Sequence, residues 1–213
     1  ITEIVTKLQG SGASSSAEAL PLSKTPKLAR LRSWLWPASS GVAVADGSLG
    51  NGNNDDAARK EVASPILHWL LIGGKFAATA PELRRTQVTH VLNCSERVPF
   101  QTSVQTCNMP VFLEDEPDEE LSRVLETAVT FLDEVQHRGG RCLVNCRKGM
   151  SRSVSIVLAY LILRQDLSLR AAWELVKTQR PVALPNTGFR RQLLQLELAK
   201  RGSSSMVAAD FNA

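Results

Sequence analysis

The chain has little cysteine, with four residues at positions 94, 107, 142 and 146. Their number and spacing are not those of a disulfide scaffold, so a reducing compartment is the default reading. There is no C-x-x-C pair, and His68, His90 and His137 lack partner spacing, so no metal-ligating pattern is present. No apolar run approaches the ~20 residues that span a bilayer. The formal net charge of +4 is too small a bias to imply a nucleic-acid partner without a clustered basic face. No internal repeat occurs. The first residue is Ile1 and not Met, which leaves the native amino terminus, and any targeting signal on it, open. What remains is a soluble composition, 43% hydrophobic and 22% charged, sufficient for a real core.

The chain changes character near position 62. Stretches such as "SGASSSAEAL" and "GVAVADGSLGNGNNDDAA" are rich in Ser, Gly, Ala and Asn without apolar periodicity, and cannot bury enough surface to offset chain ordering. Residues 1–62 are therefore expected to form a disordered tail. One island interrupts it at 24–37, "KTPKLARLRSWLWP", where Lys27, Arg30 and Arg32 precede Trp34, Leu35 and Trp36. A docking peptide that recruits a protein kinase, a membrane-surface helix, part of a transit peptide and an inert sticky segment all fit that pattern.

From about position 65 the pattern is α/β. "ILHWLLIGG", "VTHVLNCS", "MPVFLED" and "RCLVN" read as strands, and "APELRRTQ" as a short helix. Residues 119–138 place Leu121, Val124, Leu125, Val129, Leu132 and Val135 at helical spacing before Gly139 and Gly140. Helices are also expected over 151–164, over 168–179 and from Asn186, the last with Leu193, Leu194, Leu196 and Leu198 as its apolar face. This alternation predicts a central, mostly parallel sheet of about four to five strands flanked by helices, with ligands bound beyond the carboxyl ends of the strands. The domain is expected to span 63–202, with a second disordered tail over 203–213.

Asn145 and Cys146 fall at such an end, in "LVNCRKGMSRSVS". A tight turn through Arg147, Lys148, Gly149, Met150 and Ser151 into a helix beginning near Arg152 aims successive backbone N–H groups inward. That forms a nest for a tetrahedral oxyanion at a helix amino terminus. The Arg152 guanidinium can grip two phosphate oxygens. The same field acidifies a thiol from about 8.5 toward roughly 3.5 to 7.5, which equips Cys146 to attack phosphorus and form a thiophosphate.

"LVNCRKGMSRS" closely resembles the signature loop of the cysteine-based dual-specificity protein phosphatases: His-Cys, two variable residues, Gly, one variable residue, Ser-Arg-Ser. "LLIGG", "VTHVLNCSE", "LEDEPDEEL", "AYLI" and "KTQRPVALPNTGFRRQL" follow that family's order, so the resemblance covers roughly 65–202. It implies a phosphatase-like fold and an atypical member with no recognisable kinase-binding domain. It also implies hydrolysis of phosphotyrosine and of phosphoserine or phosphothreonine through a cysteinyl phosphate, without a cofactor. The general acid then falls at Asp115, with Glu114, Glu116 and Asp118 as rivals in the same acidic stretch. Ser153 matches the hydroxyl that assists departure of the sulfur. Ser151 is assigned to loop geometry, and Asn186 to a structural tie or helix cap.

Asn145 stands where the resemblance implies histidine. Asparagine can support the loop by hydrogen bonds but carries no positive charge, so a less acidic thiol and a slower or alkaline-shifted enzyme are expected. Two alternatives stay open: a pseudophosphatase that binds phosphoproteins without turnover, and a phosphatase of phosphoinositides or other non-protein phosphoesters. Cys142 lies on one strand with Cys146, about 13 Å away at ~3.3 Å per residue, beyond disulfide reach. Cys94 falls where some relatives carry a cysteine that pairs reversibly with the nucleophile. The expected partner is a phosphorylated protein, and the expected state a monomer in the cytoplasm, with the nucleus as second option.

Overall fold

The computed structural model describes residues 1–10 and 62–212. Five strands, β1 (Ser64–Pro65), β2 (Leu70–Gly73), β3 (His90–Asn93), β4 (Cys107–Pro110) and β5 (Cys142–Asn145), form one sheet in the order β1-β2-β5-β3-β4. All neighbours run parallel except β1, which pairs antiparallel with β2. The helices are α1 (Thr2–Gly10), α2 (Ala80–Arg85), α3 (Ser122–His137), α4 (Arg152–Arg164), α5 (Leu169–Gln179) and α6 (Thr187–Arg201).

Side chains alternate across a strand, so the inner strands feed two cores. Leu70, Ile72, Leu92, Cys142 and Val144 enter the larger one, while Leu71, Val91 and Leu143 enter a smaller one with Ala77, Ala78 and Leu83 around α2. Helix α4 is the hub of the larger core, with every residue from Arg152 to Leu163 buried. A helix apolar all round must be enclosed, and α4 is, by β2, β5, α3, α5 and α6. Tyr160 donates its hydroxyl to Gln136 Oε1 at 2.7 Å and meets the Trp69 ring edge-on. Ser168 and Asn186 cap α5 and α6 by accepting the N–H groups of Ala171 and Phe189. Among the described residues no helix is long and apolar enough to cross a membrane.

The expected boundaries need correction in four places. Residues 2–10, assigned to the disordered tail, form α1, whose Val5 and Leu8 are buried in the larger core and whose Leu8 carbonyl accepts from Arg164 Nη1 at 2.8 Å. Nine residues make a marginal helix alone, so this one depends on tertiary burial that periodicity does not report. The rest of the expected tail, including the 24–37 island, lies outside the described residues. At the other end, 203–212 is not a tail, because Met206 and Phe211 are buried and Phe211 packs on Trp173 with ring centroids 5.0 Å apart.

The first inner strand is shorter than "ILHWLLIGG" implies. Ile66 and Leu67 instead turn back, donating their N–H groups to the Leu70 carbonyl. On α6, Leu198 faces solvent at 51% exposure, and the fully buried Glu197 takes the inward position instead. Glu197 is satisfied there by the N–H groups of Leu169 and Ser205 and by the hydroxyls of Ser204 and Ser205.

Candidate active site

Register brings Gly73, Asn145 and Asn93 level at the carboxyl ends of β2, β5 and β3. The chain leaves that row at Cys146, whose N–H points at the Gly73 carbonyl at 3.4 Å. The loop that follows is held from outside through its carbonyls. Arg147 O accepts from Lys75 N at 3.0 Å, and Met150 O accepts from Leu184 N at 2.8 Å. Lys148 O and Gly149 O both accept from the Arg180 guanidinium, through Nη2 and Nε. A trans peptide points its N–H opposite to its carbonyl, so pulling these carbonyls outward turns the N–H groups of residues 148–151 to the inner side. The Gly149 N–H does face in, donating to Cys146 Sγ at 3.1 Å.

Gly149 has no substitute here. Its φ is 67°, and a Cβ would lie 2.5 Å from both the Gly73 carbonyl carbon and Arg180 Nη2. Arg180 itself is the residue sequence reasoning missed. It is 1% exposed, and its Nη1 also donates to Val62 O and Ser64 Oγ, at 3.1 Å each. Burial pulls its pKa down while the Cys146 sulfur opposes that. An arginine between α5 and a proline carries no local signal of a partner some thirty residues back in the chain.

Cys146 is 1% exposed, and its Sγ receives a second donor, Ser153 Oγ at 3.3 Å from the first turn of α4. Arg152 is 8% exposed, with Nη1 on the Leu113 carbonyl at 3.2 Å and on Ser95 Oγ at 3.4 Å. Its Nε makes no hydrogen bond among the described residues and lies 3.8 Å from Asp115 Oδ2, leaving donor capacity for an oxyanion. Of the four acidic candidates, Asp115 is the one whose carboxylate meets the loop. Its Oδ1 also accepts from Asn186 Nδ2 at 3.2 Å. Glu114, Glu116 and Asp118 instead line an acidic groove with Glu119, Glu120 and Arg123. Asn186 does more than cap α6, since its backbone N–H bonds Ser151 Oγ at 3.0 Å. Arg147 and Lys148 extend into solvent, and Met150 is half-buried.

Asn145 is fully buried and donates Nδ2 to Asn93 Oδ1 at 3.0 Å, while its own Oδ1 has no partner among the described residues. Asn93 in turn donates to Val98 O at 2.6 Å and accepts the Ser95 N–H at 3.1 Å. Cys94 lies between these residues, fully buried, and bonds the Asn145 carbonyl through its N–H at 2.7 Å. Burial first, and then the neighbouring Cys146, push the Cys94 thiol well above its ordinary value, against a smaller opposing effect of Arg152. No group of His, Cys, Asp or Glu among the described residues could hold a metal ion.

A strand-end cysteine under two donors, an anion-shaped loop and a flanking carboxylate define a site for phosphoryl chemistry. Residues 70–199 match the family model for the dual specificity phosphatase catalytic domain, and the chain belongs to that family. It is 37% identical over 161 residues to dual specificity phosphatase 28 of Homo sapiens, covering 71% of this chain and 90% of the relative. It is 32% identical over 163 residues to protein-tyrosine-phosphatase MKP1 of Arabidopsis thaliana, covering 75% of this chain but 21% of that much longer protein. The crystal structure of human dual specificity phosphatase 28 superposes with a TM-score of 0.61 at 36% identity, over 64% of this chain and 93% of that one.

Proposed function

We propose that the protein hydrolyses phosphotyrosine and phosphoserine or phosphothreonine on protein substrates through a cysteinyl-phosphate intermediate. The observation that carries this reading is the Cys146 sulfur under two donors, Gly149 N–H and Ser153 Oγ, inside a loop whose carbonyls are drawn outward. The inward N–H groups and Arg152 take the nonbridging phosphate oxygens. The Cys146 thiolate attacks phosphorus and the bond to the leaving oxygen breaks as Asp115 gives that oxygen a proton. The Asp115 carboxylate then takes a proton from water as the water oxygen attacks phosphorus. The S–P bond breaks, the sulfur departs as thiolate beside Ser153 Oγ, and inorganic phosphate leaves.

A second reading, phosphoprotein binding without turnover, is favoured by one observation: Asn145 brings no charge to the loop, and its buried Oδ1 has no partner among the described residues. Hydrolysis of an aryl phosphate by the full chain, beside Cys146→Ser, separates the two. Turnover that vanishes in the variant supports the phosphatase. A folded wild-type chain that binds phosphate and never turns over supports the binding protein.

A further inference from the structure

We propose that Phe76, Phe112 and Leu184 form an apolar collar around the phosphate loop that selects protein substrates carrying apolar side chains next to the phosphorylated residue. The inference rests on the phosphate-binding reading of the loop and extends it to substrate choice. These three are half of the large hydrophobic residues that stand exposed among the described residues, at 47%, 39% and 40%. Of the other three, Leu198 and Val207 lie on and after α6, and Val62 is joined to the loop indirectly, its carbonyl accepting from Arg180 Nη1 at 3.1 Å. Scattered exposed apolar residues are ordinary, but three gathered about one site are not.

The gathering follows from backbone bonds. Phe76 adjoins Lys75, whose N–H holds the Arg147 carbonyl, and Leu184 itself holds the Met150 carbonyl. Phe112 adjoins Leu113, whose carbonyl accepts from Arg152. The segments of Phe112 and Leu184 are further joined by the Asn186–Asp115 bond at 3.2 Å. Three stretches distant in sequence thus each tie to the loop and each present one apolar side chain to solvent.

Charge around the collar decides between possible occupants. Lys75, with Nζ 4.7 Å from the Phe76 ring centroid and its N–H on the Arg147 carbonyl, joins the exposed Arg147 and Lys148 in one basic group, while Glu114, Glu116 and Asp118, shortly after Phe112 in the chain, line an acidic groove. An anionic lipid surface would gain at the first group and be repelled at the second. A phosphorylated peptide can satisfy both, with acidic residues toward Phe76 and basic ones toward Phe112, and bury its apolar neighbours between.

The test uses the full chain carrying Cys146→Ser, so that binding is read without turnover. Two labelled phosphotyrosine peptides are titrated by fluorescence anisotropy, one flanked by Leu and Phe and one by Ser and Gly, with and without Phe76→Ser, Phe112→Ser and Leu184→Ser together. The apolar-flanked peptide should lose about tenfold in affinity and the polar-flanked one should not change. The melting temperature of the triple variant should equal that of Cys146→Ser alone. Equal losses for both peptides, or no loss for either, overturn the collar. So does a loss confined to phosphatidylcholine vesicles containing a phosphoinositide, which would assign the apolar residues to a membrane. Leu184→Ala alone, with an unchanged melting temperature, guards against a folding defect. Absent turnover in wild type would sink the phosphatase reading and leave the peptide comparison decisive for the collar.

Discussion

Asn145, the residue before the cysteine, spends its one described side-chain hydrogen bond on Asn93 at 3.0 Å and none on the sulfur. Asn93 passes that contact to the Ser95 N–H, and the Ser95 hydroxyl meets Arg152. The neutral amide therefore works on the arginine side of the cradle. Asn93→Ala would leave Asn145 Nδ2 and the Ser95 N–H without their acceptor in a dry site, and unfolding in urea should show a loss of about 1–3 kcal/mol. Asn145→His should alkylate with iodoacetamide faster than wild type at mildly acidic pH. Superimposable profiles would show that charge at this position is irrelevant.

Arg180 should act on anion binding more than on folding. Arg180→Met removes the donors from the Lys148 and Gly149 carbonyls, and the dissociation constant for inorganic phosphate should rise ~10–100-fold. Arg180→Lys should recover only part of this, because an ammonium lacks the planar fork that serves the loop, Val62 and Ser64 together. Unchanged phosphate binding in Arg180→Met would remove it from the loop's support.

Asp115→Asn should lower turnover ~10²–10⁴-fold while alkylation of Cys146 continues at its wild-type rate. Glu114→Gln, Glu116→Gln and Asp118→Asn should stay near wild type, since their side chains face the acidic groove. If one of those three fails and Asp115→Asn does not, the acid has been misassigned.

Cys94 and Cys146 each follow the last register pair of neighbouring parallel strands, Asn93 with Asn145, where adjacent Cα atoms lie about 4.8 Å apart and within disulfide range. Peroxide should convert the Cys146 thiolate to a sulfenic acid, which the Cys94 thiol then attacks, forming the disulfide and releasing water. Intact-mass and peptide spectrometry after mild peroxide should find the bridge, and thiol reductants should reverse it. Sulfinic acid at Cys146 with Cys94 still free would rule the pairing out.

Glu197 should make stability acid-sensitive. Burial alone would raise its pKa, but the Ser205 and Leu169 N–H groups and the Ser205 and Ser204 hydroxyls outweigh that and hold it below the ordinary value. A depressed folded pKa stabilises the protein above the unfolded value, about 4.3, and that contribution disappears as pH falls through the folded one. Melting temperature should therefore drop on acidification below about pH 4.3 more steeply in wild type than in Glu197→Gln. Parallel curves would refute the linkage.

Several of these residues were visible before any fold. Cys146, Gly149, Arg152 and Ser153 belong to one short loop whose spacing is itself the chemistry, and the apolar strands and the period of α3 report burial directly. Asp115 needed the family's order to be placed, and only its contacts with Arg152 and Asn186 set it apart from Glu114, Glu116 and Asp118.

Contacts between segments far apart in the chain have no local signature, and these the tertiary structure decided. Arg180 reads as an ordinary charged residue until the chain returns it to Gly149, and Asn93 as a strand end until register sets it beside Asn145. Helix α1 and the segment around Phe211 are too short to declare themselves, because their stability comes from a core the rest of the chain supplies. The sequence by itself determined the loop, the alternation of strands and helices, and the chemistry they admit. Packing determined which distant side chains hold that loop open to an anion, since a buried donor must find its acceptor wherever the fold puts one.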